Sequence, residues 1–141
     1  MDTTAIVKRL SVIADSVSAL KKLQKLTYDE FSTDHILYTS AERDFQVAIQ
    51  AALDIASMIL ADVDVDLPDT YSDLFVKLSE VGVLPYDYAN KLSGMARFHN
   101  VLVHLYLEVD LLRVYEYLQK SLDDLEKYAQ YVSIYMTSHK V

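Results

Sequence analysis

The sequence predicts an all-α domain, and three observations carry that expectation. Only two glycines and two prolines occur in 141 residues, whereas sheets need frequent tight turns that draw on glycine, proline and asparagine. Apolar residues recur at alternating steps of three and four over long stretches, the spacing that lays one helix face against a neighbour in near-antiparallel packing. The connections between these stretches are short and polar, with no repeat, low-complexity run or linker. Residues 1–141 therefore read as one helical domain, an up-and-down bundle of about five helices.

In chain order, the first element carries the stripe Ile6, Leu10, Ile13, Val17 and Leu20, with Lys8, Lys21 and Lys22 outside it. A long second helix is expected from about Thr33 to Asp62, bearing Ile36, Phe45, Ile49, Ala52, Ile55 and Ile59. A shorter one runs from about Thr70 to Val81, reached through Pro68-Asp69 and stopped near Gly82. Pro85 suits the first turn of a fourth helix, which extends to about Tyr106. The last helix repeats the stripe as Leu111, Tyr115, Leu118, Leu122, Leu125, Ala129, Val132 and Met136.

Composition narrows the function. No cysteine is present, which removes disulfides, thiolate metal sites and a cysteine nucleophile. Met1 to Leu20 lacks the apolar core of a secretory signal, and no window approaches eighteen uninterrupted apolar residues, so the expectation is a cytoplasmic protein without a membrane span. Asp62-Val63-Asp64-Val65-Asp66 resembles the start of a calcium loop, but Leu67 stands where glycine belongs and Asp73 where a bidentate glutamate does. A polar inter-helix connection is the simpler reading, and neither a metal nor a cofactor is expected. Five of the eleven tyrosines lie on the last helix. Tyr115 fits the core stripe, while Tyr117, Tyr128, Tyr131 and Tyr135 suggest a broad face suited to dimerisation. His35 and His139, near segment ends, read as solvated.

The most informative segment is Arg97-Phe98-His99-Asn100-Val101-Leu102-Val103-His104-Leu105-Tyr106. It sets polar groups in an otherwise apolar helix, where each must find a partner or cost about 1–3 kcal/mol. Arg97 and His104, seven apart with Asn100 between them, share a helix face, whereas His99 points away from His104. Tyr106 joins them only if the helix ends or bends, and Glu108 or Asp110 can orient an imidazole or cap the last helix. Spacing alone favours a buried network that pins helix register or a dimer interface. The chemical alternative is metal-independent phosphodiester cleavage, with His104 moving a proton and Arg97 stabilising charge on phosphorus.

These residues resemble the HepT-like toxins of the HEPN superfamily. Asn100-Val101-Leu102-Val103-His104-Leu105-Tyr106 is similar to that family's asparagine–x–leucine–valine–histidine–x–tyrosine run. The stretches from Glu42 to Gln50 and Leu53 to Ala56 resemble its second helix, and Tyr71 to Phe75 with Gly82 to Pro85 its third-helix region. The resemblance implies a homodimeric endoribonuclease toxin acting on RNA such as tRNA, with Arg97, His104 and His99 as the catalytic set and Asn100 supporting. It also implies a minimal nucleotidyltransferase antitoxin that attaches AMP to Tyr106, adding charge and bulk where substrate phosphate must sit. One position departs from the pattern: His99 stands where the family carries its arginine, and Arg97 lies two residues earlier. The alternative is a non-catalytic helical dimer, a scaffold or partner for a nucleotidyltransferase. A net charge of −8 opposes extended nucleic-acid binding, so an RNA site must be a local basic pocket, drawn from Arg97, His99, His104 and Lys91.

Overall fold

The computed structural model describes residues 1–103 and 110–139, with Val103 described through its backbone alone. The readings placed on His104, Tyr106 and Glu108 lie outside those residues. Among the described residues the fold is all-helical, with seven helices: α1 (Thr3–Leu23), α2 (Tyr28–Ser32), α3 (His35–Asp62), α4 (Tyr71–Glu80), α5 (Tyr86–Val103), α6 (Leu111–Lys120) and α7 (Leu122–Ser138).

Local chemistry sets these boundaries. Asp2 caps α1 by accepting from the Ala5 amide at 3.1 Å. Asp34 caps α3 through the Ile36 and Leu37 amides at 3.0 and 3.3 Å. Of the two roles open to Asp110, a helix cap or an imidazole partner, the structure shows the cap: it accepts from the Arg113 amide at the start of α6. Each such cap contributes about 1 kcal/mol. After α4, Gly82 adopts φ +87°, with Val83 N–H donating to Leu78 O and Gly82 N–H to Ser79 O. That paired closure satisfies the last carbonyls and needs a residue without Cβ strain.

Two features correct the expected count of about five. A one-turn helix, α2, sits in the first connection, held by a reciprocal Thr27–Glu30 capping box and anchored by the fully buried Phe31. The last helix breaks at Ser121, whose amide still donates to Tyr117 O while Asp124 N–H bonds back to Ser121 O. The buried stripe Leu118, Leu122, Leu125 and Val132 continues across the break, so periodicity alone reads one helix.

The core centres on α3. Ala48, Ala52 and Ala56 are fully buried, and their small side chains let neighbours approach along the helix that also presents Phe45, Ile49, Ile55 and Ile59. By length and composition α3 is the one described helix apolar enough to cross a membrane, but 56% of its apolar window is buried within the protein. It is the central core helix. Buried apolar side chains from all seven helices form one cluster.

Tyr128 and Tyr135 of α7 serve this interior, which corrects the expectation that they lie on a broad outer face, while Tyr117 and Tyr131 are half-buried against it. Tyr128 is fully buried, donates to Ala52 O at 2.7 Å and packs edge-on against Phe75. Tyr135 is buried, Tyr131 packs on Tyr88, and Tyr117 stacks on Phe98. Tyr115 donates to Leu26 O, which with the Gln24 side chain on Leu118 O ties α6 to the connection after α1. His35 and His139 are exposed as expected, each lying beside a tyrosine, Tyr38 and Tyr135.

Candidate active site

The candidate site lies at the C-terminal end of α5, and aromatic packing holds that end in register. Phe98 is fully buried, edge-on to Phe45 of α3 at 5.5 Å and stacked on Tyr117 of α6 at 3.9 Å with planes 6° apart. The Tyr117 hydroxyl donates to Gly94 O at 2.9 Å. A Cβ placed on Gly94 would lie 3.5 Å from Arg97 Nη2 and 3.8 Å from the Tyr117 oxygen, so the guanidinium folds back over the glycine beside that hydroxyl. Tyr117 thus fixes both the turn of α5 that carries Arg97 and the aromatic wedge next to it.

The sequence-derived residues separate into two groups. Arg97 and Asn100 are exposed, and their spacing of three puts guanidinium and amide on one outward face. His99 is the opposite case, only 3% exposed and edge-on to Tyr71 at 5.7 Å. Neither of its ring nitrogens has a hydrogen-bond partner among the described residues. Burial pushes its pKa below the ordinary value, and the Asp54 carboxylate opposes this less strongly. His99 is therefore a neutral, inward group rather than part of a basic pocket. Lys91 is exposed and acts on Asp124, whose carboxyl burial raises and whose nearby cations, Lys91 first, lower. Arg97 is thus the exposed cation that the described part of the segment offers to a phosphate.

Three residues important here were missed in the sequence: Tyr117, which orders α5, and Asp54 and Tyr71, which surround His99. No local signal marks them, since each acts across more than twenty positions of chain. Among the described residues, no three His, Cys, Asp or Glu side chains converge to hold a metal.

A helical bundle that presents an arginine and an asparagine on one exposed face, leading into a histidine–x–tyrosine run, has the form of a HEPN-type domain. Residues 13–132 match the family described as Ribonuclease HepT-like, and the chain belongs to that family. At that level it is a ribonuclease. Among curated relatives, it is 24% identical over 136 residues to the tRNA nuclease HepT of Aphanizomenon flos-aquae, covering 96% of this chain and 92% of that one. It is 26% identical over 121 residues to the mRNA nuclease HepT of Shewanella oneidensis, covering 84% and 91%. Among solved structures, the tri-AMPylated HEPN toxin of Shewanella oneidensis in complex with MNT antitoxin superposes with a TM-score of 0.81 at 22% identity. That superposition covers 92% of this chain and 97% of the other, and establishes the shared fold.

Proposed function

We propose that this chain is a metal-independent endoribonuclease toxin of a HepT/MNT-type pair, acting in the cytoplasm as a homodimer on RNA, with tRNA as the first substrate to test. The observation that carries the reading is the division at α5: Arg97 is exposed while His99, at the family's arginine position, is buried and held neutral. Arg97 therefore takes over the guanidinium role, with Asn100 beside it on the same face.

In the proposed reaction the RNA 2′-oxygen attacks the adjacent phosphorus. The new O–P bond forms as the bond to the 5′-oxygen breaks, leaving a 2′,3′-cyclic phosphate and a 5′-hydroxyl. His104 takes the proton from the attacking 2′-hydroxyl and, as imidazolium, returns a proton to the leaving 5′-oxygen, a task suited to imidazole near neutral pH. Arg97 binds the non-bridging oxygens, where negative charge builds, through its forked donor. Side chains thus supply both the charge stabilisation and the proton transfer.

The named relatives, a tRNA nuclease and an mRNA nuclease, support RNA as substrate. The AMPylated toxin–antitoxin neighbour supports an MNT nucleotidyltransferase partner, and the resemblance of the motif assigns Tyr106 as the position it modifies. AMP there would place a phosphodiester in the site and repel substrate phosphate.

The test is cleavage of total RNA and of tRNA in EDTA by wild type, Arg97→Ala and His104→Ala, each checked by mass for AMP on Tyr106. Loss of cleavage in both variants, by 100-fold or more (about 3 kcal/mol of transition-state stabilisation) and with the fold retained, is the expected result. Retained activity in Arg97→Ala would overturn the guanidinium assignment. Unmodified wild type without cleavage would leave the non-catalytic scaffold as the reading.

A further inference from the structure

We propose that the open groove between α1 and α3 is a second RNA-binding site, a track for backbone phosphates that leads away from the motif helix. The inference rests on the ribonuclease reading and extends it to how an acidic protein holds its substrate. Lys8 and Arg9 of α1 and Arg43, Gln46, Gln50 and Asp54 of α3 line a cavity of about 440 Å³. Three of the chain's thirteen Lys and Arg side chains converge there, in a protein with twenty-one carboxylates.

The single carboxylate lining this groove is already satisfied. Asp54 accepts from Arg9 Nε at 3.3 Å and from Gln50 Nε2 at 2.9 Å. Lys8 and Arg43 are exposed, and neither belongs to an ion pair among the described residues. The groove is therefore locally cationic although the chain is not.

Position and chemistry favour RNA as occupant. The groove is built on α3, which packs directly against the motif-bearing α5 through Phe45 and Phe98 at 5.5 Å. From Asp54 to Arg43 the helix rises about 16 Å, enough to follow a few phosphates of an extended strand. Two amide side chains, Gln46 and Gln50, also line the groove and can bond phosphate or ribose oxygens. The lining has no aromatic ring on which bases stack, so the contact is to the backbone and independent of sequence.

The experiment measures binding of a fluorescent 2′-O-methyl RNA of about 15 nucleotides, whose blocked nucleophile prevents cleavage, across a salt series. Wild type is compared with Lys8→Gln/Arg43→Gln, and with Lys22→Gln/Lys25→Gln as a variant of equal charge altered elsewhere on the surface. Each lost phosphate contact to a single strand lowers the salt slope by about 0.7. The groove variant is thus expected to lose about 1.4 in slope and to bind roughly tenfold more weakly at about 0.1 M salt. Its kcat/KM on tRNA should fall in step, while the control variant matches wild type. Equal slopes for groove and control variants, with wild type still cleaving tRNA, would overturn the track and leave the ribonuclease reading standing. That result would turn attention to an acidic protein segment as the occupant. A wild type that neither binds nor cleaves RNA would remove both readings together.

Discussion

At Arg97 and His99 two polar side chains only two residues apart meet opposite environments, one solvent and one core. The buried imidazole makes stability pH-dependent. Its folded-state pKa lies below the ordinary 6.5, so the unfolded chain binds the proton more readily. Stability is full above about pH 6.5 and falls as pH drops toward the folded pKa, by at most about 1.4 kcal/mol per pH unit. His99→Leu should remove this term, and urea unfolding at pH 5.5 and 8 should show the variant's advantage larger at the lower pH. Glu42 carries the opposite sign. It is 6% exposed, Oε1 has no partner among the described residues, and burial raises its pKa above the ordinary 4.5 despite nearby His35. Its burial therefore costs stability above the folded pKa and the cost fades as pH falls through it. Glu42→Gln is expected to stabilise the protein by about 1 kcal/mol at pH 7 and to change little near pH 4; equal effects at both would refute a charge origin. Neither environment was legible in the sequence. The motif identifies the polar residues, but whether each faces water depends on α4 and α3, whose Tyr71 and Asp54 are distant in the chain.

The helices were largely legible because their stripes are local. Ile6, Ile13, Val17 and Leu20 are buried as their spacing implies, and Gly82 ends α4 where expected. Gly82 at φ +87° and Gly94 inside α5 make a paired prediction. Gly82→Ala should destabilise by about 1 kcal/mol, since alanine is strained in the left-handed region. Gly94→Ala meets only ordinary van der Waals distances of 3.5 and 3.8 Å and should stabilise by about 0.5–1 kcal/mol. Thermal melts read both, and a destabilised Gly94→Ala would show that the glycine is needed for Arg97 or Tyr117 to approach. The short α2 has a local signal in Thr27 and Glu30, a capping pair three residues apart. The break at Ser121 was not, because burial continues through it and a stripe of side chains does not report a lost backbone bond.

For the whole molecule, net charge governs association. Two copies of a chain of net charge −8 repel one another. If the proposed homodimer forms through apolar contact, salt should tighten it by screening that repulsion. Sedimentation equilibrium is expected to show twice the 16.1 kDa chain mass, with the dissociation constant falling several-fold between about 0.05 and 0.5 M salt; a dimer that loosens with salt would mean cross-subunit ion pairs dominate instead. The tyrosines do not decide this question, since Tyr117, Tyr128 and Tyr135 are engaged within their own chain. The sequence by itself determined the all-helical class, the segment on which the proposed chemistry rests and the resemblance to HepT-like ribonucleases, because periodicity, capping and a contiguous motif are short-range properties of the chain. Only the tertiary structure decided that Arg97 faces solvent while His99 is buried neutral, that Tyr128 and Tyr135 lie in the interior, and that Lys8, Arg9 and Arg43 line one groove. Those outcomes depend on which helices pack together, and burial and charge at a residue are set by neighbours that folding brings from far along the chain.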